Sequence, residues 1–173
     1  MQSLEYVKNK QTALDLGAGA LNDSKYLLGF GFEKVIAVDS EANNDLINDI
    51  TKKYKDTFIF QKVEIEDYNF PESNFDLVNA QFVLPFVLKE NIIQVLNDIK
   101  KSLKDDGIFV GQFFGIKDSW SGSPSILIYV ETEIREFLSG LDVIYFQEEE
   151  RDGQTAMDGE KHWHIFNFIA KHL

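Results

Sequence analysis

Short apolar runs and segments of helical spacing take turns along this chain. Thr12–Leu16 is a short apolar run that ends in Gly17 and predicts a buried strand. Asn22–Phe30 carries Tyr26, Leu27 and Phe30 behind Asn22, a residue type suited to capping a helix. Val35–Val38 predicts the second strand, and Glu41–Tyr54 then places Ala42, Leu46, Ile47 and Ile50 on one helical face. Phe58–Val63 and Phe75–Ala80 predict strands three and four. Ile92, Leu96, Ile99 and Leu103 follow helical spacing, and Asp105-Asp106-Gly107 predicts a turn that ends this helix. Ile108–Phe114 predicts a fifth strand, Glu131–Leu138 another helix, and Val143–Phe146 and His162–Ile169 the last two strands.

Alternation of strand and helix over the first two thirds predicts βαβ units, right-handed crossovers and a parallel sheet. No helix separates the last two strands. Their connection, Gln147–Lys161, contains Asp152-Gly153 and predicts a hairpin. Neither a repeat nor a linker-like tract divides the chain, and Ser119–Ser125 reads as a loop, so residues 1–173 are expected to form a single domain.

Composition narrows the function classes. A hydrophobic fraction of 44% with 15 Phe is ample for one core and excludes intrinsic disorder. No apolar run approaches the ~20 residues that span a bilayer. Met1–Glu5 lacks the basic and apolar regions of a signal peptide, so the expected address is the cytoplasm, with no membrane partner. Having no Cys excludes a disulfide scaffold, a thiolate zinc site and a Cys nucleophile. The formal charge of −12, from 29 acidic and 17 basic residues, repels phosphate backbones and argues against nucleic acid as a partner.

Candidate chemistry begins where the first strand ends. Gly17 and Gly19 let the backbone turn tightly and approach a ligand beside a helix N-terminus. A dinucleotide fingerprint needs a third glycine where this chain has Asn22, which disfavours a pyrophosphate and a nicotinamide oxidoreductase. Asp15 would repel a pyrophosphate and attract a cationic or amino-bearing ligand; alternatively it caps the loop. Asp39 ends the second strand, where an acid can accept both hydroxyls of a ribose; alternatively it is a solvated turn residue. After strand three, Glu64 could accept an exocyclic adenine amine while the Ile65 N–H meets a ring nitrogen. These groups follow three successive strand ends in the order a bound adenosine needs.

With these residues the chain resembles the class I S-adenosylmethionine-dependent methyltransferases. Asp15-Leu16-Gly17-Ala18-Gly19 resembles their first motif, Val38-Asp39 their second, and Glu64 to Val78 their adenine loop and fourth strand. Leu103-Lys104-Asp105-Asp106-Gly107 resembles their turn before strand five. The likeness runs from about Ala13 to Phe114, and beyond it the chain is similar to the small tellurite-resistance and thiol methyltransferases. The resemblance implies a Rossmann-like α/β doubly wound sheet of seven strands, order 3-2-1-4-5-7-6, with strand 7 antiparallel. It implies S-adenosyl-L-methionine as cofactor, held by Asp15, Gly17, Gly19, Asp39, Glu64 and Ile65. Leu21 stands where the family often has a further glycine.

In-line transfer from a sulfonium needs alignment more than a dedicated base, so the absence of an obvious catalytic dyad is no objection. Asn79-Ala80-Gln81-Phe82 lacks the two prolines that exocyclic-amine methyltransferases carry there, which points to a small-molecule oxygen, sulfur or metalloid acceptor. Gln81 and Phe82 sit where donor and acceptor would meet, with core packing of Phe82 as the alternative. The implied topology brings Lys161-His162-Trp163-His164 near the loop of Asp118 and Trp120, making His162 a candidate general base. Alternation puts His162 and His164 on one face and Trp163 on the other. No metal is expected. The protein is expected to be a monomer or weak homodimer, and the alternative function is a non-catalytic S-adenosylmethionine-binding module.

Overall fold

The computed structural model describes residues 2–41, 43–155 and 159–173. β1 (Thr12–Leu16), β2 (Lys34–Asp39), β3 (Phe58–Lys62), β4 (Phe75–Ala80) and β5 (Leu103–Gly115) form a parallel sheet. β7 (Leu141–Gln154) and β8 (Glu160–His172) pair antiparallel, and β8 also lies antiparallel against β5. The order is β3-β2-β1-β4-β5-β8-β7. It is the expected order once the two-residue β6 (Ile128–Tyr129) is counted. β6 has no sequence pattern of its own: it takes up Phe114 and Gly115 of β5, beyond Gly111 where β4 stops pairing.

Runs such as Val35-Ile36-Ala37-Val38 form strands buried on both faces, and alternation sorts their side chains into two cores. Ala13, Val35, Ala37, Leu77 and Val110 meet Leu27 and Leu28 of α1 (Asn22–Phe30), Ile50 of α2 (Asn44–Tyr54), and Leu4 of an N-terminal 3-10 turn. Leu14, Ile36, Val38, Phe109 and Phe113 meet Val95, Leu96 and Ile99 of α3 (Ile92–Ser102) and Ile134 of α4 (Glu131–Phe137). At the sheet edge away from the loops described below, buried Asp76 accepts the Gln11 and Thr12 N–H groups and the Lys104 ammonium, tying β1, β4 and β5 together.

Four local expectations change. Asn22 is the first helical residue of α1 and not its cap; the cap position is Leu21, whose φ of 61° is left-handed. α2 starts at Asn44, because the Asn43 side chain accepts the Leu46 N–H at 3.2 Å and caps it there. Ala42 of the expected helix lies outside the described residues. Asp105-Asp106-Gly107 lies inside β5 as a bulge: Phe75 pairs with Leu103 but Leu77 with Ile108, and Asp106 has a φ of 62°. Asp152-Gly153 is not the hairpin turn. It pairs with His162 and Lys161 in the ladder, and the Thr155 N–H meets Gly159 O at 3.1 Å beyond it. Ala156, Met157 and Asp158 of the expected connection lie outside the described residues. The ladder runs on because Asp152 on β7 faces His162 on β8 and the two side chains pair.

Candidate active site

The C-terminal ends of β1, β2 and β3 meet in one cleft of about 530 Å³. Gly17, with φ 65°, turns the chain out of β1, and the Gly17 and Ala18 N–H groups both donate to Val38 O at the end of β2. A Cβ on Gly17 would lie 2.4 Å from Val83 Cγ2, so only glycine fits beneath the segment that follows β4. Gly19 and Leu21 are also left-handed, and Leu21 is buried against α1. Leu21 thus takes the conformation that a further glycine would, its side chain packed into the core.

Asp39 closes the loop. Its Oδ2 accepts the Gly19 N–H and its Oδ1 the Glu41 N–H, each at 2.8 Å. A carboxylate has about four acceptor positions, so two stay open toward the cleft. Across the cleft, Glu64 precedes the 3-10 turn Ile65–Asp67, whose first N–H, that of Ile65, has no acceptor within the turn. Glu66 accepts the Leu88 N–H at 2.8 Å and fixes the far wall. Gly17, Asp39, Glu64 and Ile65 therefore line one cleft together; Gly19 lies beside Asp39 on its outer side.

Asp15 departs from expectation. It is 1% exposed and lines no opening; its carboxylate accepts Ser24 Oγ at 2.5 Å and Asn79 Nδ2 at 2.8 Å. Burial pushes its pKa up to about 6, against the lowering effect of these two bonds. It does not line the cleft, because β1 pairs Asp15 with Asn79 and both side chains turn under α1, where its carboxylate also accepts the Ser24 backbone N–H. Asn79 also donates to Asp23 at 3.2 Å, while its Oδ1 is buried without a partner. Sequence reasoning missed Asn79 as the bridge between two acids, since its role rests on the β1–β4 register.

Gln81 and Phe82 stand at the end of β4. The Phe82 N–H donates to Gln112 Oε1 at 2.8 Å, and Gln112 Nε2 donates to Gln81 Oε1 at 3.3 Å. Phe82 is 43% exposed with φ 54°, so it is not a core residue; its ring meets Trp163 edge-on at 6.0 Å. Phe86, Phe114 and Trp120 continue this aromatic cluster. Beneath it lies a feature the sequence did not single out. Lys161 Nζ sits 3.4 Å from the Trp120 ring centre and 3.7 Å from that of Trp163. Its ionic partner is Asp118, which also accepts the Trp120 and His164 N–H groups. Burial draws the Lys161 pKa down, opposed by Asp118.

The hairpin does dock on the loop of Asp118 and Trp120, with Ser119 N–H donating to His162 O at 3.0 Å. His162, however, is not brought to Gln81 or Phe82. Its Nδ1 lies 2.8 Å from Asp152, and Nε2 lies 3.6 Å from Glu150; the alternation that turns Trp163 toward Phe82 turns His162 away. His164 shares that face, with Glu148 and Glu150 close enough to form a metal-like group. The Lys117 N–H donates to His164 Nδ1, so the ring proton sits on Nε2 and points at Glu148; that tautomer offers no lone pair to an ion.

This fold is that of the methyltransferase domains. The model of the family described as "Methyltransferase domain" matches residues 14–111, and the chain belongs to that family. No curated protein matches the chain. Among solved structures, TehB from Haemophilus influenzae superposes with a TM-score of 0.80 at 19% identity, covering 99% of this chain and 62% of that one. The Burkholderia thailandensis 1,6-didemethyltoxoflavin-N1-methyltransferase, with bound 1,6-didemethyltoxoflavin and S-adenosylhomocysteine, gives 0.74 at 20% identity, covering 97% and 73%. A SAM-dependent methyltransferase from Methanosarcina mazei gives 0.74 at 17%, covering 98% and 96%. At these identities the likeness is one of fold.

Proposed function

We propose that the protein transfers a methyl group from S-adenosyl-L-methionine to a small-molecule oxygen, sulfur or metalloid acceptor. The observation that carries this reading is the single cleft uniting Gly17, Asp39, Glu64 and Ile65 at three successive strand ends. The residues fit the cofactor. Gly17 leaves room for close backbone approach, Asp39 keeps acceptor capacity for ribose hydroxyls, and the Ile65 N–H with Glu64 matches an adenine edge.

Held by Gly17, Asp39, Glu64 and Ile65, S-adenosyl-L-methionine would supply an electrophilic methyl carbon and a thioether leaving group. The protein's part is to hold two reactants in line, an effect that can reach ~7–11 kcal/mol. Val83, against Gly17, and Gln81 with Phe82, at the end of β4, are placed to fix that alignment. The neighbour crystallised with 1,6-didemethyltoxoflavin and S-adenosylhomocysteine, an N1-methyltransferase, supports a small-molecule acceptor and not the choice of its nucleophile. Among the described residues no helix is long and apolar enough to cross a membrane. The charge of −12 supports a reading without a nucleic-acid partner; the proposed enzyme is a single domain, cytoplasmic, and monomeric or weakly dimeric.

Calorimetry with S-adenosylhomocysteine tests this function. Binding to the wild type is expected, weakened by Asp39→Ala by up to roughly 1.5–3 kcal/mol for each charge-assisted bond lost. No binding at millimolar ligand overturns the reading. Binding without turnover on any acceptor marks a non-catalytic S-adenosylmethionine-binding module instead.

A further inference from the structure

We propose that the acceptor is an uncharged, planar heterocycle with lactam-type edges, bound in a second cavity on the α1 face of the sheet. This deepens the methyltransferase reading and rests on it. The cavity, about 290 Å³, is lined by Ser3, Gln81, Gln112, Gln147, Glu149 and Asn167, among others. Its size lies at the low end for small-molecule sites, which suits one or two rings.

The polar residues are not scattered. Gln112 on β5 pairs with Asn167 on β8, and Asn167 pairs with Gln147 on β7, so three carboxamides stand side by side across three strands. Gln81, at the end of β4, extends the row through its bond to Gln112. Two of them interrupt an apolar alternation: Val110 and Phe114 flank Gln112 on its face, and Ile165 and Ile169 flank Asn167. Gln112 is only 7% exposed, a place where packing alone calls for an apolar side chain.

The row satisfies part of itself. Gln112 uses both ends of its amide, on Phe82 and Gln81; Asn167 Nδ2 reaches Glu149 at 3.4 Å, and Tyr145 OH donates to Gln147 Oε1. The Gln81 and Gln147 amino groups and Asn167 Oδ1 are left without protein partners among the described residues. A separate observation points the same way. Ser3, from the N-terminal turn, forms part of the wall; it is 1% exposed, and its buried hydroxyl has no hydrogen-bond partner among the described residues.

Donors and an acceptor in one row match the alternating C=O and N–H edge of a lactam. Charge argues for a neutral ligand. Glu149, a carboxylate in this lining, is already held by Arg151 Nε at 2.7 Å, and no lysine or arginine lines the cavity to receive a thiolate or a metalloid oxyanion. Gln81 on this cavity and Val83 on the cofactor cleft lie two residues apart, at the end of β4.

The test uses the full chain saturated with S-adenosylhomocysteine, titrated by calorimetry with uracil, hypoxanthine and 2-pyridone, and separately with 2-mercaptoethanol and tellurite. At least one lactam is expected to bind, and the thiol and the oxyanion are not. Gln147→Leu should weaken the lactam about tenfold, equivalent to ~1.4 kcal/mol, with S-adenosylhomocysteine affinity unchanged. Asn167→Leu should weaken it too, because it removes the free Oδ1 acceptor of the row. If S-adenosylhomocysteine binds but no lactam does at millimolar concentration, the inference fails and the methyltransferase reading stands. It fails equally if lactam affinity ignores both substitutions. If S-adenosylhomocysteine itself does not bind, both fall.

Discussion

Lys161 Nζ lies 2.7 Å from Asp118 Oδ1 with both side chains sealed from solvent, 2% and 0% exposed. The contact is an ion pair without hydrogen-bond alignment, and the remaining surface of the ammonium faces the rings of Trp120, Trp163 and Phe114. The two partners come from the loop after β5 and the start of β8, so the pair fastens that loop to the hairpin. Removing one charge leaves the other buried alone, which costs more than the pair itself contributes. Asp118→Ala is therefore expected to lower stability by roughly 3–5 kcal/mol, and Lys161→Met by clearly less, since the Asp118 carboxylate left behind keeps the Trp120 and His164 N–H donors and a methionine keeps the aromatic packing. Denaturant titration followed by tryptophan fluorescence checks both. Equal losses would show that the two N–H donors do not sustain a lone Asp118 carboxylate and that breaking the charge pair alone sets the cost.

Asp15 makes stability depend on pH in the sense opposite to most carboxylates. Its folded pKa, about 6, lies above the ordinary 3.8, so the native state binds a proton more tightly than the unfolded chain. The stability this contributes is fully present below 3.8 and is lost as pH rises through about 6. The displacement corresponds to roughly 3 kcal/mol. Asp15→Asn cannot ionise, so the stability difference between variant and wild type should move by that order in favour of the variant from pH 4 to pH 8. Chemical denaturation at the two values measures it; a constant difference would place the buried proton elsewhere.

Gly17 tests how closely the loop is packed. Gly17→Ala adds a methyl group 2.4 Å from Val83 Cγ2 in a left-handed backbone, so either the loop or the segment after β4 must move. Affinity for S-adenosylhomocysteine should fall more than tenfold, as in other cases where a backbone must approach a ligand. Adding Val83→Gly removes the collision and should restore part of the loss. Failure of the double variant to improve on the single one would assign the whole effect to the backbone conformation.

What could be read from the residues follows from the range of the interactions involved. Runs such as Val35-Ile36-Ala37-Val38, and the order of Gly17, Asp39 and Glu64 along the chain, are local signals, and they placed the sheet and the cleft. Features that need register were hidden. Asn79 meets Asp15 only because β1 and β4 pair at that level, and the Gln112–Asn167–Gln147 row exists only across three strands. The bulge at Asp105–Gly107 imitates a turn in sequence, and Asp152-Gly153 imitates a hairpin tip, because both lie where strands from elsewhere decide the pairing. Leu21 shows the reverse case: core packing holds a leucine in a conformation that sequence rules reserve for glycine.

His162 gives the clearest test of the side of the hairpin on which chemistry occurs. Along β8 the Trp163 ring meets Phe82 at 6.0 Å, while the His162 ring pairs with Asp152 at 2.8 Å and approaches Glu150 at 3.6 Å. The Asp152 bond raises the His162 pKa, with Glu150 adding to it, so the ring favours its protonated form and is a poor proton acceptor. With the folded pKa above the ordinary 6.5, its pairing helps stability below 6.5 and fades as pH rises through the raised value. His162→Ala should therefore weaken the fold slightly at pH 5 and not at pH 9. Its kcat/KM profile for methyl transfer should overlay that of the wild type from pH 6 to 9. Loss of an ionisation from that profile in the variant would return His162 to the reaction and would mean that the hairpin turns its other face to the acceptor.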